Sequence, residues 1–112
     1  MEPVTNTERK QLRKLSGVAY ERELSSELAA LEGRFGEWRA GGIGPHELSD
    51  AIHEFHEGAS RRLFVFYTQV DPRIVVARAI AYGILKKEEV PSGIVPKRAQ
   101  MIAYYRDELE AK

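Results

Sequence analysis

The stretch from Gly44 to Val70 (GPHELSDAIHEFHEGASRRLFVFYTQV) constrains the fold more than any other part of the chain. Leu48, Ile52, Phe55, Ala59, Leu63, Phe66 and Val70 are spaced 4, 3, 4, 4, 3 and 4 residues apart. At about 100° per residue they fall within a stripe of roughly 80°, the pattern of a helix with one buried face. Pro45 suits the first helical position, where a missing N–H costs nothing, and Gly44 suits the N-cap. The acids Glu47, Asp50, Glu54 and Glu57 precede Arg61 and Arg62, the order that a helix macrodipole favours. Asp71-Pro72 then stops this helix and starts another.

Upstream, Thr5 and Glu8 have capping-box spacing, so a first helix is expected to begin near Thr7 and run to Ala40. Ser16-Gly17 is its weakest point. Leu24, Leu28, Leu31, Phe35 and Trp38 are spaced 4, 3, 4 and 3, a short heptad-like seam that packs on another helix at a shallow angle. Gly33 and Gly36 inside this helix should each cost about 1 kcal/mol relative to alanine. Close approach of another backbone or fraying of the last turn would account for them, and the following Ala40-Gly41-Gly42 favours fraying. The short loop Gly41–Gly44 turns the chain back on itself, so the two helices are antiparallel. That pairs Trp38 with Leu48, Phe35 with Ile52, Leu31 with Phe55, Leu28 with Ala59 and Leu24 with Leu63, apolar against apolar throughout.

The third helix is predicted from Pro72, capped by Asp71, to about Lys86. Arg78 is its only charge between Ile74 and Leu85, and a helix apolar on every side must be buried on every side. A fourth helix or a second subunit is therefore required to cover it. After the Pro91-Ser92-Gly93 turn, Pro96 opens a last helix to about Glu110, with Ala99, Ile102, Ala103, Arg106 and Leu109 on one side. The expected fold is all-α, one domain built as a bundle of about four helices, near 7–40, 45–70, 72–86 and 96–110, on an antiparallel helical hairpin.

Composition narrows the function. A balance of 17 basic and 17 acidic residues gives no dense positive face, which argues against nucleic acid as a main partner. The absence of cysteine removes disulfides, thiolate metal sites and cysteine nucleophiles, and fits a reducing cytoplasm. No apolar run approaches the ~20 residues of a membrane span, and the charged N-terminus lacks a signal-peptide core. The expectation is a soluble cytoplasmic protein without cofactor.

Candidate chemistry centres on the histidines. His46, Asp50, His53 and Glu57 follow at i, i+4, i+7 and i+11, a line whose imidazole and carboxylate groups could share a transition metal, with His56 nearby. The line lies about 140–200° from Leu48, however, on the side a helix turns to water, whereas bundle metal sites point inward. His53-Glu54-Phe55-His56 is one residue short of the zinc-protease motif, which displaces the second imidazole by about 100°. Gly41-Gly42-Ile43-Gly44 leads into a helix without the lysine or third glycine of phosphate-binding loops. Arg9, Lys10, Arg13 and Lys14 form a basic start of the kind that solvates a helix, and no serine sits in a nucleophile elbow.

The run Leu63-Phe64-Val65-Phe66-Tyr67 is apolar all round, so its end of the helix needs cover on two sides. The residues point to a protein that works by association with another protein, as a homodimer, with Phe35, Trp38, Phe64 and Tyr67 as anchors. The alternative is a metal-binding helical protein that uses the His/Asp/Glu line.

Overall fold

The computed structural model describes residues 4–111. Thr5 caps the first helix, its Oγ1 accepting from the Glu8 N–H at 3.1 Å. The helix α1 then runs from Asn6 to Arg39, 34 residues without interruption at Gly17, Gly33 or Gly36. At about 1.5 Å per residue that is about 51 Å. The longest dimension of the molecule is 53 Å, so α1 is its long axis. The last turn is formed, with the Ala40 N–H on the Gly36 carbonyl at 3.0 Å, and a Cβ on Gly33 or Gly36 would meet nothing within 4 Å. Neither close approach nor fraying explains these two glycines.

Gly44 and Pro45 start the second helix as expected, and the Glu47 carboxylate accepts from the Gly44 N–H at 3.4 Å. The predicted continuous helix 45–70 is nevertheless composite. It comprises α2 (Pro45–Glu54), a π turn (Phe55–Ser60) and α3 (Arg61–Gln69). The cause lies in the spacing of the stripe. Phe55, Ala59 and Leu63 are separated by 4 and 4, which drifts by about 80° in a regular α-helix. The wider i→i+5 turn takes up that drift and keeps the apolar positions directed at α1. Leu48 and Leu63 are buried on either side of it, at 7% and 6% exposure.

Asp71 caps α4 (Pro72–Ala81), its carboxylate accepting from the Arg73 N–H at 2.9 Å. The apolar pattern predicted this helix to continue to Lys86, but it ends at Ala81. Gly83 adopts φ 77°, the left-handed conformation that costs a residue without Cβ nothing. Its N–H reaches the Ile80 carbonyl at 3.2 Å and the Ile84 N–H reaches Ala79 at 2.9 Å, a Schellman ending. Ile84 and Leu85 therefore lie in the connection, where Leu85 is buried. The helix expected from Pro96 begins at Ile94 instead, as α5 (Ile94–Lys97), and resumes after a break at Arg98 as α6 (Ala99–Glu110).

The described residues are all-helical, with no strand. α4 is buried as its composition required, packed between α1 and α6. Leu12, Leu15 and Ala19 of α1 meet Val76, Ala77, Ala79 and Ile80 of α4, closed by Leu85, Val90, Ile94 and Ile102. This core occupies one half of the molecule. The other half is an arm in which α1 beyond Ala19 and α2–π–α3 run side by side in opposite directions, Tyr20 stacked on Tyr67 and Leu31 sharing a groove with Phe55 and Ala59. Leu48 and Leu63 alone are fully buried from the second strand of this arm.

Alanine at Gly33 or Gly36 is expected to raise stability by about 0.5–1 kcal/mol each, since the helix is regular and the space is open. Alanine at Gly83 is expected to lower it by about 1 kcal/mol, because Cβ is disfavoured at positive φ. Denaturant unfolding of the three variants checks both signs.

Candidate functional site

The arm and the core are joined by one polar constellation. The Arg78 guanidinium of α4 lies 4.7 Å from the ring centroids of Phe66 and of Tyr82, one on α3 and one just past α4. Its Nη1 donates to Glu23 Oε1 of α1 at 2.6 Å, and the Tyr67 hydroxyl donates to the same oxygen at 2.6 Å. Both charged side chains are about four-fifths covered, at 21% and 20% exposure. Burial works against the charge on Arg78, but the Glu23 carboxylate outweighs it and raises the pKa. Burial, then the hydrogen bond to Glu23, holds the Tyr67 hydroxyl protonated well above its ordinary range. Tyr67, expected to be an interface anchor, is thus turned inward and committed to α1.

A second, exposed pair ties down the connection after α4. Arg22 forks onto Glu89, with Nη1 at 2.8 Å from Oε2, and also donates to the Ile84 carbonyl at 2.9 Å. Hydrogen bonds from Arg22 and from the Lys86 N–H pull the Glu89 carboxyl down to about 2.

His46, Asp50, His53, His56 and Glu57 are all exposed. Glu57 pairs with Arg61 at 3.7 Å, and the π turn begins between His53 and Glu57. Among the described residues no three His, Cys, Asp or Glu side chains gather as a metal would require. The basic start places Arg9 and Arg13 beside Arg73 and Asp71 in a cleft of about 300 Å³, where the Asp71 carboxylate is bound by Arg73 at 2.7 Å.

Among the charged and polar side chains that the arm presents outward are several large apolar ones. Leu28, Ile52 and Phe64 are 46%, 40% and 57% exposed, and Trp38 at the tip is 41% exposed. Phe35 is half-buried in the seam. The first three share a face. Glu27 lines a groove with Tyr82, so it looks toward the α4 side, and Leu28 is one step of about 100° further round. Glu27 and Ala51 line another groove between the helices, and Ile52 is likewise one step on from Ala51, across the seam. Phe66 touches Arg78 of α4, and Phe64 lies two steps, about 200°, away from it. All three turn their side chains away from α4. Sequence reasoning singled out Phe64 but read Leu28 and Ile52 as seam residues. The 4, 4, 4 spacing of Ile52, His56, Ser60 and Phe64, straightened by the π turn, is the signal that could have found this face.

Two outcomes check the electrostatics. Glu23→Ala is expected to destabilise the fold by about 2 kcal/mol, because Arg78 is left charged and covered, and chemical denaturation measures it. The Glu89 carboxyl is expected to titrate near 2 by NMR rather than at its ordinary 4.5, and to return towards 4.5 in Arg22→Ala. Because its folded pKa is depressed, the pair's contribution is present above pH 4.5 and is lost as pH falls toward 2.

Protein-family models, curated proteins and solved structures give no match to this chain, and its function is argued from its own surface.

Proposed function

We propose that the protein acts by association rather than catalysis, as a homodimer whose two arms together build the helical bundle that one chain starts. Its surface area supports this reading. A compact monomer of this mass exposes about 6,200 Å² on the scaling of folded proteins. This chain exposes 7574 Å². The surplus of about 1,300 Å² exceeds the ~800 Å² that each partner contributes to a standard interface. The radius of gyration agrees in direction, at 17.2 Å where a compact domain of this length has about 13 Å.

The arm carries exposed apolar residues that such an interface would cover. Two antiparallel helices can cover one stripe each, and any apolar residue beside the stripe stays wet until a further helix arrives. Leu28, Ile52, Phe64 and Trp38 are such residues. Phe64 and Trp38 remain the proposed anchors with Phe35 behind them, since aromatic side chains dominate interface energies, while Tyr67 serves from inside. No helix among the described residues is long and apolar enough to cross a membrane, and a chain without cysteine suits the cytoplasm, the proposed location.

Size-exclusion chromatography with light scattering at micromolar concentration is expected to give twice the chain mass of 12.7 kDa. A single-chain mass up to about 100 µM, far above the Kd expected of a standard interface, would overturn the proposal.

A further inference from the structure

Resting on that reading of the chain as a homodimer, we infer that the second copy docks antiparallel on the face of the arm turned away from α4, about a two-fold axis that passes through Leu28. The register of the two arm helices sets the geometry. α1 descends as α2–π–α3 ascends, with Tyr20 on Tyr67 and Leu31 beside Phe55. Leu28 is therefore level with residues 58 to 59, close to residue 58, the midpoint between Ile52 and Phe64 in sequence. The three exposed apolar residues of this face form a pattern that maps onto itself under a half-turn to within about one residue. Leu28 of one copy meets Leu28 of the other, and each Ile52 meets the opposite Phe64. An isologous interface demands this self-complementarity. Three scattered apolar residues would not show it.

The match of Ile52 with Phe64 sets the direction, because it arises only when the two copies run antiparallel. His56 and Ser60, polar between the apolar positions, fall near the axis. The four helices so assembled cover the face turned away from α4 on both arms.

The test uses the absence of native cysteine. Leu28→Cys under mild oxidation is expected to give a disulfide-linked dimer, because the two-fold brings the paired positions together, whereas His46→Cys at the arm's tip is expected to give none. In parallel, Phe64→Glu is expected to weaken self-association by at least about 30-fold, the effect of losing a hot-spot residue. A native dimer in which Leu28→Cys does not cross-link, or in which Phe64→Glu assembles unchanged, overturns this geometry and leaves association through another surface, such as the outer side of Val65. A native chain that stays monomeric overturns the association itself.

Discussion

The Arg78–Glu23 pair between two aromatic rings is the contact on which the rest of the molecule depends. Four segments converge on it: α1 through Glu23, α3 through Phe66 and Tyr67, α4 through Arg78, and the end of α4 through Tyr82. Apolar packing alone would hold α4 on α1, because Val76, Ala77, Ala79 and Ile80 meet Leu12, Leu15 and Ala19 there. It would not hold the second strand of the arm, whose fully buried residues are few. The guanidinium lies 4.7 Å from the centroid of each ring while its Nη1 donates to the Glu23 carboxylate, and a planar guanidinium suits both contacts better than a lysine ammonium. That polar knot fixes where the arm leaves the core.

From that point the two halves of the molecule follow different rules. The core half is closed on three sides by α1, α4 and the C-terminal segments, and its alanines and valines reach zero exposure. The arm is two helices deep, with nothing beneath it. A two-helix layer cannot bury both edges of its seam, and 112 residues could have folded with less surface than this chain retains. The retained surface is apolar in part. Disorder or a charged face would have been the simpler ways to end a chain's need for packing.

Much of this was legible in the sequence where the signal was local. The Thr5 cap, the Pro45 start and the Asp71-Pro72 junction are set by backbone chemistry within four residues, and each occurs where the pattern placed it. The end of α4 was hidden because Ile84 and Leu85 continue the apolar run, while Gly83, which stops it, is one glycine among nine. Arg78 stood out as the single charge in an apolar helix, yet its partner lies 55 residues away on another helix, a separation no periodicity reports. The His/Asp/Glu line was visible, and so was its position on the water side, which already argued against a metal. The outward face of the arm was half visible: Phe64 broke the stripe openly, whereas Ile52 fitted it until the π turn set the register.

The π turn carries one more consequence. The arm's second strand is two helices coupled by a wide joint that holds one residue's worth of rotation. Regular i→i+4 bonding through the same residues would swing α3 about 80° relative to α2. Leu63 would leave α1, Tyr67 would leave Glu23, and the outward side chains would no longer share a plane. The wide bonding at Phe55–Ser60 is therefore what phases the two ends of the arm, and a chain one residue shorter there would reach nearly the same phase as an unbroken α-helix.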